Sequence, residues 1–423
     1  MDRASSFGEN PAKEDIVQRL FTGFFIIGIL GALFQLALGD LEAPGRVVGA
    51  LWDAADLAVQ VSLGLIGILA LWSGLFRLAE QSRVADRLAA GVRPVLSRLM
   101  PSLERNPEAG AAVSMNLAAN MLGLDNAATP LGLKAMEALQ NDNPRPRSAS
   151  DSQIMFLVIN TSSVTVVPVT VLMYRAQQGA SDPALVYLPM LMATTVSTFV
   201  GVWLTARVQK IRLSDPLILA VAAGWTGLLA ILGTAVWLAP PNLSATLSSL
   251  IGNLILLLVV GLFFYAAWRT RVDSYDCFVE GAKEGFTLAV KLIPYLVAML
   301  AAIAMLRASG VLEALLDGIR HGATALGWDT RFVDALPVAF LKPLSGSGAR
   351  AAMLEVMQTQ GVDSLAGRMA AVMQGSTETT FYVLAVYFGS VGIRNFRYAL
   401  WCGLAADAAG LTAAVLLSYL FWG

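Results

Sequence analysis

Residues 373–388 read MQGSTETTFYVLAVYF, and residues 158–170 read VINTSSVTVVPVT. Each is a polar interruption inside a segment otherwise apolar enough to lie in a bilayer. In the first, Gln374, Ser376, Thr377, Glu378, Thr379 and Thr380 crowd together ahead of a strongly apolar run. A carboxylate is expensive in lipid, so Glu378 is expected to face the protein interior or an enclosed polar cavity. The second interruption, with Asn160, Thr161, Ser162 and Ser163, carries only neutral polar groups.

The composition around these stretches fits a membrane protein. The chain has 423 residues, 56% hydrophobic and 14% charged, against roughly 25% charged in a soluble domain. Lys and Arg total 29 against 30 for Asp and Glu, so no excess charge points to a nucleic-acid partner. Cys277 and Cys402 lack a CxxC spacing and His321 is the single histidine, which argues against a structural metal or disulfide framework. No GxxxxGK[ST], GxSxG or HExxH occurs, and no catalytic constellation marks the chain as an enzyme.

Windows of about 20 apolar residues place crossings near 20–39, 57–76, 153–174, 184–206, 216–239, 245–268, 287–306, 366–389 and 398–421. The first reads as a retained helix rather than a signal peptide, since it is long and lacks a cleavage motif. Two further regions, 109–140 and 332–358, break at LGLDNAATPLG and LKPLSGSGARAAM, which predicts re-entrant hairpins. Arg77, Arg83, Arg87, Arg93, Arg98 and Arg105 cluster in one loop, whereas the loops at 40–56, 175–183 and 240–244 hold only Arg46 and Arg175. The positive-inside rule then predicts nine crossings, N-in and C-out. Trp225, Trp237, Trp268, Trp401 and Trp422 read as interface anchors.

The chain repeats itself. SRVADRLAAGVR (82–93) aligns without a gap on SGVLEALLDGIR (309–320), identical at five of twelve positions. In both halves an amphipathic surface segment is followed by a broken hairpin and then a polar-interrupted span. An odd number of crossings separates the two units, so they are expected to be inverted. The expected fold class is therefore an all-α polytopic membrane protein of two inverted repeats, each with an interfacial helix, a re-entrant hairpin and a polar-interrupted helix. Paired interruptions in inverted repeats point to a midplane site.

Residues 50–205, with NMLGLDNAATPLGLKAMEALQ and FLVINTSSVTVVPVTV, resemble spore maturation protein A. Residues 250–423, with FVEGAKEG, IPYLVAMLAAIAMLRASG and MQGSTETTFYVLAVYFGSVGIRNF, resemble spore maturation protein B. The whole is similar to a natural fusion of the two, in the nucleoside-recognition or Gate family, related to concentrative nucleoside transporters and the ferrous-iron permease core. Asp125 departs from the glycine that the family usually places before NAATP. The expected organisation is a tail and first helix (1–49), an A-like unit (50–210), a connecting region (211–249) and a B-like unit (250–423). The run Gly375–Glu378 looks like the polar hairpin motif of the nucleoside transporters.

Four interruptions thus supply the candidate substrate-binding residues: Asn120, Asn126 and Thr129; Asn160, Thr161 and Ser162; Ser345 and Ser347; and Gln374, Ser376, Thr377, Glu378 and Thr379. Asp125 or Asn126 is expected to cap the helix carrying Pro130, and Ser345–Gly348 to form the second hairpin tip. Plain capping and hydroxyl bonds back to helix carbonyls are the structural alternatives for each cluster. Glu378 is the candidate for H⁺ or Na⁺ coupling, with no feature separating the ions and no other cofactor implied. The expectation is a multi-pass protein of the cell inner membrane that moves a small polar solute, nucleoside-like by resemblance. Its partners would be that solute and lipid, and a homo-oligomer is compatible. A non-transporting component of envelope or spore-cortex maturation is the alternative.

Overall fold

The computed structural model describes the backbone of residues 11–162 and 165–423, without the side chains of 11–17, 20, 125–127, 241 and 242. The first half comprises α1 (Pro11–Ala37), α2 (Ala43–Gln81), α3 (Val84–Leu99), α4 (Pro107–Met121), α5 (Asp125–Asn141), α6 (Asp151–Ser162), α7 (Val169–Gln177) and α8 (Tyr187–Gln209). Helices α9 (Pro216–Trp237) and α10 (Pro241–Thr270) lead to the second half. That half comprises α11 (Ser274–Ala308), α12 (Val311–Ala325), α13 (Leu336–Leu341), α14 (Gly346–Gln360), α15 (Leu365–Gly375), α16 (Thr380–Ser390) and α17 (Ala399–Trp422). Among the described residues, six helical segments are long and apolar enough to cross a bilayer: Ala43–Gln81, Pro183–Gln209, Pro216–Trp237, Leu243–Thr270, Ser274–Ala308 and Ala399–Trp422. Helices α9 and α10 present Leu219, Ile231, Leu257 and Leu258 outward, as lipid-facing helices do.

The element order repeats: α2-α3-α4-α5-α6-α7-α8 recurs as α11-α12-α13-α14-α15-α16-α17. Register is kept at the start of the interfacial helices. Arg83 (φ 58°) and Gly310 (φ 74°), aligned by the repeat, both adopt the left-handed conformation that turns the chain from span to surface. The equivalent helices run antiparallel. A Cβ on Gly281 of α11 would sit 2.5 Å from Ser73 O of α2, and one on Gly285 would overlap Leu69 O. Four residues forward on α11 are four residues back on α2. The two glycines let the backbones touch, as small-xxx-small pairs do between membrane helices. Likewise, Gly201 and Ser197 of α8 meet Ala406 and Gly410 of α17 in reverse order.

Both expected hairpins form, but their tips differ in detail. Leu124 holds the N-cap position, and the backbone of α5 already includes Asp125 and Asn126, whose side chains lie outside the described residues. Gly123 (φ 71°) makes the turn, leaving Leu124 buried. In the second hairpin, Gly346–Gly348 are not the tip but the first turn of α14. Ser345 in extended conformation caps it, its hydroxyl accepting Gly348 N–H at 3.1 Å. Trp225 is no interface anchor either: its indole N–H donates to Thr195 at 3.0 Å inside the bundle.

Candidate site at the crossing of two broken helices

Helix length sets the scale of the two breaks. Helices α15 and α16 have 11 residues each, flanking residues 376–379; at about 1.5 Å per residue each spans roughly 16 Å, half of the ~30 Å hydrocarbon core. Helices α6 and α7, of 12 and 9 residues, put their break at a similar depth.

The two broken helices cross antiparallel, and they touch at the breaks. Thr161 O, at the end of α6, accepts Glu378 N–H at 2.7 Å and lies 2.9 Å from Thr377 Oγ1. Thr161 Oγ1 donates to Thr380 Oγ1 at 3.2 Å. A helix interrupted at membrane depth frees backbone groups that must be re-satisfied within the protein. Here each half satisfies the other.

The hairpin tips close on the same place. Met121 O, at the tip of α4, accepts Val166 N–H at 2.9 Å and Val167 N–H at 3.2 Å. Pro343 O, at the second tip, accepts Phe381 N–H at 3.0 Å, and a Cβ on Gly346 would lie 3.0 Å from Thr379 Oγ1. Asn120 donates to Asn160 at 2.9 Å, while Asn160 bonds back to Phe156 O at 2.9 Å. Ser162 O accepts from Thr194 at 3.1 Å, tying α8 to the break.

Of the sequence-predicted residues, Asn160, Thr161, Ser162, Ser345, Gln374, Ser376, Thr377 and Thr379 are buried, whereas Asn120, Thr129 and Ser347 are half-buried. Ser376 bonds back to Met373 O at 2.9 Å, and Ser347 lies 3.2 Å from the capping Ser345 hydroxyl, so these hydroxyls serve their own helices. Gln374 is different: its Oε1 is buried without a hydrogen-bond partner among the described residues. The side chain of Asn126 lies outside the described residues. Glu378 is exposed rather than set in an enclosed pocket, because the N–H of its peptide, not its carboxylate, faces Thr161.

At this crossing an enclosed carboxylate is supplied by Asp407 of α17, only 1% exposed. Its Oδ1 meets Thr377 Oγ1, and its Oδ2 lies 2.6 Å from Thr380 Oγ1. Lys342, 3% exposed at the end of α13, and Glu378 are the charges that act on it. Asp407 was not singled out from the sequence, although the rule that flags Glu378, an acid within an apolar span, applies equally to GLAADAAGL. Asn116 and Tyr387 were missed too. Asn116 Nδ2 donates to Ala128 O at 2.7 Å, and the Tyr387 ring stacks on Phe156 at 5.6 Å.

The outer ends of the two broken helices are pinned reciprocally. Arg175, in the last turn of α7, pairs with Asp363, just before α15, at 2.9 Å. Arg397, beyond the end of the second, pairs with Asp151 at the start of the first at 2.7 Å. Residues 148 and 395 add a bridge there.

The family described as nucleoside recognition matches residues 62–177 and 289–394. Spore maturation protein B of Bacillus subtilis (strain 168) is 41% identical over 167 residues, which are 40% of this chain and 92% of that protein. Spore maturation protein A of the same organism is 37% identical over 169 residues, 40% of this chain and 85% of that protein. This chain therefore belongs to the nucleoside-recognition (Gate) family, in an arrangement consistent with a fusion of spore maturation proteins A and B.

Proposed function

We propose that the protein is a secondary transporter or permease for a small polar solute of nucleoside-like character, acting in the cell inner membrane. The observation that carries this reading is the convergence of both broken helices and both hairpin tips around Thr161 and Thr377. Broken helices from inverted repeats meeting near the midplane are the architecture of alternating-access sites. Gln374, with a buried acceptor awaiting a donor, and the exposed Glu378 are the groups we assign to the solute. Asn120, Asn160 and Thr379 line the same crossing. The accompanying topology is nine crossings, N-in and C-out, with units at 50–210 and 250–423.

The test is uptake of radiolabelled nucleosides, amino acids and dicarboxylates into proteoliposomes containing the purified chain, with imposed H⁺ or Na⁺ gradients. Gradient-dependent uptake abolished by Glu378→Gln supports the reading. No uptake of any solute under either gradient would instead favour a non-transporting role in envelope maturation.

A further inference from the structure

Thr377 Oγ1 faces three oxygens: Asp407 Oδ1, Thr161 O at 2.9 Å and Glu378 O at 3.4 Å. A threonine hydroxyl carries one hydrogen. If Asp407 were a carboxylate, its Oδ1 and Thr161 O would both be acceptors competing for that hydrogen. One close oxygen pair would then be left with no proton between its members, in a buried setting where such a deficit is costly.

A single proton on Asp407 removes the deficit. Its Oδ1–H donates to Thr377 Oγ1, and the Thr377 hydroxyl donates to Thr161 O. The Thr161 hydroxyl donates to Thr380 Oγ1 at 3.2 Å, and Thr380 donates to Asp407 Oδ2 at 2.6 Å. Four donors then meet four acceptors in a closed ring. The ring passes through α6 of the first half and through α16, its preceding break and α17 of the second.

We propose that Asp407 is a proton-binding site whose occupancy closes a hydrogen-bond ring joining the two inverted halves. Release is simple loss of H⁺ to water. The Thr377 hydroxyl then turns to the carboxylate and lets go of Thr161 O, leaving Glu378 N–H as that carbonyl's remaining donor across the crossing. The charged groups facing Asp407 are Lys342 from the second hairpin and Glu378 from the break. Helix α6 brings neutral Thr161 onto its partner Thr380, and α8 brings neutral Ser197 onto the carbonyl of the preceding Ala406. That this proton is the coupling ion rests on the transport reading above; that Asp407 binds it does not.

The experiment titrates the full chain in lipid nanodiscs, reading infrared difference spectra and melting temperature against pH. Asp407→Asn preserves the ring, because its amide can donate to Thr377 and accept from Thr380. Wild type should show a protonated-carboxyl band that disappears on alkalinisation, with a falling melting temperature. Asp407→Asn should lose the Asp407 share of the band and of the melting shift, whatever the buried carboxyl of Glu355 retains. Should that variant fail to fold, Thr377→Val removes the hydroxyl next to the acid and should move the band's midpoint by about one pH unit or more. An identical pH profile in wild type and Asp407→Asn, or an unmoved midpoint in Thr377→Val, overturns the proposal. So does stabilisation by Na⁺ over N-methylglucamine at fixed pH that Asp407→Asn abolishes, which would make this a sodium site. Neither readout needs a solute, so failure of the uptake assay leaves this inference standing.

Discussion

Arg175 and Asp363 join the end of one broken helix to the beginning of the other, 2.9 Å apart, with the arginine wholly buried. The guanidinium also donates to Val362 O at 2.9 Å and to Asp182 O and Pro183 O at 3.3 Å each. Its counterpart at the opposite end, Arg397–Asp151, is half-exposed. The inverted architecture therefore has one strong clamp and one weak clamp.

That inequality predicts unequal costs. Arg175→Ala leaves Asp363, itself partly exposed, and three carbonyls without their donor, and unsatisfied acceptors of this kind cost about 1–3 kcal/mol. Arg397→Ala removes an exposed pair, for about 0.2–1 kcal/mol. Denaturant unfolding in mild detergent should show the ranking. Equal losses would mean the two clamps are equivalent despite their burial.

The strong clamp also has a pH sign. Burial pushes the Asp363 carboxyl up, but the Ser181 N–H and hydroxyl and the Arg175 guanidinium outweigh it and hold the group below its ordinary 3.8. A carboxylate lowered in the folded state contributes stability above its unfolded value and loses it as pH falls through the folded one. The clamp should therefore be intact at neutral pH and weaken only below about pH 4. Asp363→Asn should blunt that acid-side loss of melting temperature and leave neutral-to-alkaline behaviour unchanged.

Close approach of α2 and α11 makes a third prediction. Gly285→Ala sets a methyl against Leu69 backbone and must push two long helices apart, at about 1–3 kcal/mol. Gly261→Ala, where a Cβ meets nothing within 4 Å, should be neutral or slightly stabilising, because alanine favours the helix. Paired melting curves decide it; equal behaviour of the two variants would refute the tight α2–α11 seam.

The fold was legible in the sequence to the extent that its signals were local. The match of 82–93 to 309–320 located the repeat to the residue, down to the shared left-handed turn at Arg83 and Gly310. The breaks at Thr161 and Ser376–Thr379 announced themselves as polar runs in apolar spans. Hairpin tips were displaced because a Gly-Ser run reads as a turn, while Ser345 uses it as the capped start of α14. Asp407 escaped notice for the opposite reason. Its neighbours in sequence are alanines and glycine, and its hydroxyl partners arrive from residues 27 and 30 positions away. Glu378 drew the eye because its polar company is sequential, yet its own side chain is exposed.

Orientation is testable directly. In a chain with Cys277 and Cys402 replaced, a cysteine at position 180 follows α7 and one at position 95 lies on α3, within the arginine-rich segment. An impermeant maleimide applied to right-side-out cells should label 180 and spare 95 until the cells are opened. Labelling of 95 in intact cells would reverse the N-in assignment while leaving the inverted packing untouched.

The last prediction concerns Glu378 itself. Its side chain makes no hydrogen bond among the described residues, and only its peptide N–H is tied to Thr161. Glu378→Gln and Glu378→Ala should therefore both fold with melting temperatures close to wild type, since neither strands a buried donor. A structural carboxylate would behave differently, with Ala costing about 1–3 kcal/mol more than Gln. Binding separates the roles further. If the charge faces a solute or ion, thermal shifts with a panel of nucleosides should vanish in both variants. Gln374→Ala, which removes the unpartnered acceptor, should weaken the same shifts. Retention of full ligand shifts in Glu378→Ala would remove the carboxylate from the site and leave the crossing of Thr161 and Thr377 to bind solute through neutral groups alone.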